Sequence, residues 1–98
     1  MEYLIRGQGH EAFLALDKAA VESVLVPRGW PAERAEGAGD LRYRVEDDTE
    51  VALSLTADGW RVVFTGPIPV ERAEQLVDMV AGQIADATGE QTEWLDRP

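Results

Sequence analysis

Residues 41–66, LRYRVEDDTEVALSLTADGWRVVFTG, alternate apolar and polar side chains through three consecutive runs: Leu41, Tyr43 and Val45, then Val51, Leu53 and Leu55, then Trp60, Val62 and Phe64. A period of two is the repeat of a strand with one buried face, so the three runs read as an antiparallel meander. Asp58-Gly59 is a two-residue signal for a type I′ hairpin, in which both central residues take positive φ. That turn predicts Leu55 opposite Val62 and Leu53 opposite Phe64. A three-residue loop of Asp47, Asp48 and Thr49 predicts Val45 opposite Val51 and Tyr43 opposite Leu53. Both turns put the same nine apolar residues on one face. A sheet with such a face needs a second layer to cover it.

The flanking segments supply that layer. Residues 2–6 read as a further strand, with Tyr3 and Ile5 on one side and Glu2, Leu4 and Arg6 on the other. Residues 10–26 carry Phe13, Leu16, Ala20, Val21 and Val24 at helical spacing, flanked by Leu14 and Leu25, and Pro27 with Gly29 stops the helix. Residues 27–40 have no periodicity and read as a long connection. Residues 70–87 predict a second helix, with Val70, Ala73, Leu76, Val77, Val80, Ile84 and Ala87 on one face, acidic residues in the first turns, and Gly89 as the C-terminal cap. The expected order is β-α-β-β-β-α, an α+β two-layer sandwich whose antiparallel sheet carries two helices on one face. Residues 1–89 form the domain and 90–98 a polar C-terminal tail.

A chain of 98 residues is one domain's worth, large enough to build a core without staples. It has no cysteine, so disulfides, thiolate nucleophiles and cysteine metal sites are out of reach. The first residues lack the basic and apolar regions of an export signal, and no run is long enough to span a bilayer. These features predict a cytoplasmic protein that binds no membrane. The formal net charge is −10, which disfavours direct contact with nucleic acid, because that contact depends on a basic footprint.

Strand, Gly7-x-Gly9-x-x-Ala12, helix is the order of a dinucleotide-binding turn. The comparison fails further along, since the helix leads into a loop and hairpins where a parallel strand and a ribose-binding acid are needed. The glycines read instead as a tight strand-to-helix turn, and no cofactor is expected. His10 and Asp17 are the one pair that invites a catalytic account. Seven helical residues separate them by about 10.5 Å, too far for a dyad. Asp17 reads more simply as an edge carboxylate bonded to the Tyr43 hydroxyl, the Trp60 indole or backbone. A single histidine and no cysteine give no transition-metal set, and the chain is expected not to be an enzyme.

Two surface features remain. Glu46, Asp47, Asp48 and Glu50 gather negative charge at a hairpin tip, without the spacing of a calcium loop. The sheet face turned away from the apolar residues carries Arg42, Arg44 and Arg61 among small side chains, an unusual grouping on so acidic a chain. Trp30 and Trp94 lie outside the expected helices and strands, where aromatics serve as loop anchors or interface residues. The leading expectation is a small acidic, non-catalytic protein–protein interaction module, an adaptor or homodimerisation domain, using Arg42, Arg44, Arg61, Trp30 and Trp94. The second is an inhibitor or immunity-type protein whose acidic surface, at Glu46, Asp47, Asp48 and Glu50, blocks a cationic partner such as a nuclease.

Overall fold

The computed structural model describes residues 1–7, 20–37, 39–46 and 48–97. Its elements are β1 (Glu2–Gly7), α1 (Val21–Leu25), β2 (Glu33–Arg34), β3 (Leu41–Glu46), β4 (Thr49–Thr56), β5 (Gly59–Thr65), α2 (Val70–Thr88) and β6 (Thr92–Arg97). The strands make a six-stranded sheet in the order β2-β3-β4-β5-β1-β6, and every pairing is antiparallel. The fold is thus α+β, with the expected meander at its centre. Two strands are additional. β2 lies within the connection 27–40, and β6 occupies residues expected to be a polar tail.

β1 runs between β5 and β6, which explains its composition. Tyr3, Leu4 and Ile5 are all buried, Tyr3 and Ile5 in the core and Leu4 on the opposite face beneath the side chains of its neighbours. The neighbours of β1 are antiparallel, so the glycines at its end do not open a parallel βαβ unit among the described residues. Gly9, His10, Asp17 and most of the expected first helix lie outside the described residues.

The meander's registers differ from the expected ones by two residues. Leu55 faces Trp60 and Leu53 faces Val62, while Tyr43 faces Val51 and Leu41 faces Leu53. The turn between β4 and β5 falls on Ala57 and Asp58, since Thr56 pairs with Gly59. Thr56 organises that turn, its hydroxyl donating to the Gly59 carbonyl at 2.9 Å and accepting from the Asp58 N–H at 3.2 Å. Gly59 is drawn into the strand because β5 approaches β1 closely there. With φ at 140°, a Cβ on Gly59 would stand 2.3 Å from the Ile5 carbonyl oxygen. At the other turn Glu46 pairs with Thr49, and a register shift between Arg44 and Glu46 takes up the extra residue. Asp48 adopts φ of 58°, a left-handed conformation that aspartate tolerates. A slip of two residues preserves the face of every side chain, so the nine apolar residues still share a side.

Those residues, Leu55 excepted, form one core cluster with Tyr3, Ile5, Leu25, Ile68 and the inward residues of α2. α2 buries Ala73, Leu76, Val77, Val80, Ala81, Gln83 and Ile84. It ends as expected at Gly89, which takes φ of 76° and donates its N–H to the Ala85 carbonyl. Val70, expected on the apolar face, is half exposed at the first turn. Gln83 is the polar member of the buried face. Its Nε2 donates to the carbonyls of Val24 at 2.6 Å and Val26 at 2.8 Å, and its Oε1 accepts the Arg28 N–H at 3.1 Å. One side chain thereby satisfies the carbonyls that the end of α1 leaves without helical partners. No helix among the described residues is long and apolar enough to cross a membrane.

Candidate functional site

Register fixes what the other sheet face displays. One row across the strands reads Arg97, Glu2, Val63, Ala52 and Arg42; the next reads Leu95, Leu4, Arg61 and Ser54. Arg6 stands opposite Glu93, and Thr65, Glu50, Arg44 and Glu33 make a further row. Five of the chain's nine basic residues, Arg6, Arg42, Arg44, Arg61 and Arg97, therefore occupy this one face.

Most of these arginines are tied to a neighbouring glutamate. Arg61 grips Glu2 as a fork, with Nε 3.0 Å from Oε2 and Nη2 3.0 Å from Oε1. The hydrogen bond from Arg61 holds the Glu2 carboxyl below its ordinary range, and Glu2 in turn raises the guanidinium's pKa. Arg6 donates to Glu93 from Nη2 at 2.9 Å and Nε at 3.1 Å. Arg42 bonds Glu50, whose second oxygen lies 4.0 Å from Arg44 Nη2. The exposed pairs among them contribute little stability each, and Arg42–Glu50 is partly buried. Their consequence is geometric, because the guanidinium groups are held in place over the sheet.

Beneath them the face is apolar. Leu4 and Ala52 are buried, while Val63 and Leu95 are half-buried. A hollow of about 160 Å³, walled by Glu2, Thr56, Asp58, Arg61 and Arg97, opens onto Leu4. The connection before β3 closes the far side. Asp40 donates its N–H to the Leu53 carbonyl at 3.0 Å and accepts the Leu55 N–H on Oδ2 at 2.8 Å. Gly39 lies so close to this face that a Cβ there would meet Ser54 Oγ at 3.0 Å and Ala52 Cβ at 3.3 Å.

The structure thus brings Arg42, Arg44 and Arg61 together and adds Arg6 and Arg97, which join the face only because β1 and β6 pair. The two tryptophans are elsewhere. Trp94 stands in β6 on the core side, packed edge-on against Tyr3 with ring centres 5.7 Å apart, and its Nε1 donates to Asp78 of α2 at 3.2 Å. Trp30 packs against the core and carries the Arg72 guanidinium 4.2 Å above its ring. Each has an anchoring role inside the molecule.

The acidic tip is partly engaged. Glu46 is bound by Arg72 and Glu50 by Arg42, while Asp48 is exposed and Asp47 lies outside the described residues, as do His10 and Asp17. The Tyr43 hydroxyl and Trp60 Nε1 are buried without a hydrogen-bond partner among the described residues. Burial raises the Tyr43 phenol above its ordinary pKa; Glu22 adds to the shift and Arg34 opposes it.

Compared with protein-family models, with curated proteins and with solved structures, the chain matches none.

Proposed function

We propose that this chain is a small non-catalytic interaction module, an adaptor or dimerisation domain. In this reading the helices form one layer over the core face, and the opposite sheet face is the docking surface. The observation that carries it is the gathering of arginines, held in place by Glu2, Glu50 and Glu93 on the same face. On a chain of net charge −10, five of nine basic residues share one face. α2 by contrast carries Glu71, Glu74, Asp78 and Asp86, and its one basic residue, Arg72, is turned to Glu46 and Trp30. A protein partner with an extended or acidic surface fits the arginine face, since pre-positioned guanidinium groups recognise carboxylates at low ordering cost.

The test is cross-linking in cells of the source organism, with partner sites mapped by mass spectrometry. Cross-links should concentrate around β4, β5 and β1 and should be lost in Arg42→Glu and Arg61→Glu, while Asp48→Lys leaves them. The reverse ranking supports the inhibitor reading. The observation that favours this alternative is the exposed Asp48 at the acidic hairpin tip, which would face a cationic partner and make association strongly salt-dependent.

A further inference from the structure

The two edges of the sheet are unlike. β2 is two residues long, too short to template another strand. β6 is six residues long and regular, paired with β1 throughout its length, and no described strand lies beyond it. Long, unbulged edges are those on which further strands add.

We infer that β6 pairs antiparallel with β6 of a second copy of this chain, on a two-fold axis through Leu95, joining two sheets into one. The contact is the edge of the sheet and not the arginine face of the preceding reading, although the side chains of Glu93, Leu95 and Arg97 lie at the margin of that face. The occupant follows from register and charge. When a strand pairs with its own copy in one continuous sheet, directly opposed residues lie on the same face, so the axis must fall on a residue rather than between two. An axis on Glu93 or on Asp96 sets like charges directly opposite. An axis on Trp94 sets Glu93 against Leu95 and Thr92 against Asp96, leaving both carboxylates unmatched. An axis on Leu95 sets Glu93 against Arg97 twice, with Leu95 against Leu95 between them and Trp94 against Asp96 on the other side. Of the four registers only this one matches charge, and opposed ion pairs across strands are favourable where like pairs are not.

The free groups on the edge suit that register. Arg97 stands opposite Glu2, whose carboxylate is already taken by Arg61, and makes no ion pair among the described residues. Glu93 is held by Arg6 through one oxygen, Oε2, at 2.9 Å, so the other is open to a second guanidinium. Five opposed pairs over residues 93–97 would form about four to six backbone hydrogen bonds. The contact also brings charge-matched side chains together on a chain that otherwise repels its copy.

Charge reversal and cross-linking test this directly. Sedimentation equilibrium should show a reversible dimer of the unaltered chain. Arg97→Glu alone and Glu93→Arg alone should each weaken it by about tenfold or more, because each places like charges opposite one another twice. An equimolar mixture of these two variants should recover the dimer, since every opposed pair is again opposite in sign. The chain has no cysteine, so Leu95→Cys introduces a single thiol. An axis residue has its counterpart about 4.5–5.5 Å away between Cα atoms, within disulfide range. Mild oxidation should therefore link the Leu95→Cys copies rapidly and Asp58→Cys copies slowly. A chain that stays monomeric to millimolar concentration overturns the inference. So does a dimer that ignores both reversals, or one that Arg61→Glu dissociates while the mixed pair does not recover. In that last case the arginine face, not the edge, holds the copies together. Partner cross-links lost on Arg61→Glu with the edge dimer intact would leave both proposals standing.

Discussion

Replacing Gln83 by leucine should be among the most damaging single changes to the packing of α2 against the end of α1. The substitution keeps the approximate volume and apolar contacts of the side chain, so its effect isolates the amide. It deletes three hydrogen bonds, two to the carbonyls of Val24 and Val26 and one from the Arg28 N–H. At about 1 kcal/mol net for each bond, the loss is about 3 kcal/mol. The carbonyls of half-buried residues can recover part of this from water, while a fully buried orphan would raise it, so the range is about 2–4 kcal/mol. For a domain of this size that corresponds to a fall of about 10–20 °C in Tm. Urea unfolding followed by tryptophan fluorescence and far-ultraviolet dichroism measures it, with an unchanged slope showing that the native state stays compact. Gln83→Glu supplies the electrostatic control. Its carboxyl would face two carbonyl oxygens, so its folded pKa lies above the unfolded value of about 4.3. Near pH 4 the acid form still donates one bond; as the pH rises through the unfolded value stability falls, levelling off above the folded pKa. A loss below about 1 kcal/mol for Gln83→Leu, with the slope unchanged, would refute the reasoning and reduce the amide contacts to incidental ones.

The remaining expectations are briefer. Gly59→Ala should unfold the sheet or cost several kcal/mol, because a Cβ at φ of 140° would stand 2.3 Å from the Ile5 carbonyl oxygen; a soluble variant with native dichroism and Tm counts against the β1–β5 register. Gly82→Ala should instead stabilise the chain by about 0.5–1 kcal/mol, since a Cβ there meets nothing within 4 Å and a mid-helix glycine costs backbone entropy. Burial pushes the phenols of both Tyr3 and Tyr43 up from 10.0, with Glu74 adding to the shift at Tyr3. Their contribution to stability is therefore present below pH ~10 and lost as the pH rises through that unfolded value towards the folded one. Absorbance titration at the tyrosinate band should show ionisation delayed past pH 10 and coincident with alkaline unfolding.

The meander and α2 were legible because periodicity reports a face. Alternation identified the core side of β3, β4 and β5, and helical spacing identified most of the buried side of α2. Registers are a finer matter, decided by which two residues make the turn. The sequence favours Asp58-Gly59, but the approach of β5 to β1 claims Gly59 for the strand and moves the turn to Ala57 and Asp58. β6 escaped notice because Glu93, Asp96 and Arg97 make 92–97 look solvated, although Trp94 and Leu95 point to opposite sides as a strand requires. Gln83 left a faint signal, a polar residue at helical spacing from Leu76 and Val80 on an otherwise apolar arc. The arginine face was visible only as far as the meander reached. Arg6 and Arg97 join it through pairings between distant parts of the chain, and the Arg61–Glu2 fork spans the same distance, so no local pattern encodes either.

The sheet order has a consequence for how the chain emerges from the ribosome. β1 is made first, yet both of its neighbours, β5 and β6, come late. At a synthesis rate of about 5–20 residues per second, some 3–10 s pass between completion of β1 and the start of β5. Throughout that interval Tyr3, Leu4 and Ile5 lack the strands they finally pair with and present an apolar run to solvent or to a chaperone. The meander can assemble from contacts local in sequence, but the finished sheet requires the oldest segment to be inserted between two of the youngest. Slowing translation between β1 and β5 should therefore lengthen chaperone occupancy of the nascent chain, whereas slowing it within the meander should have a smaller effect.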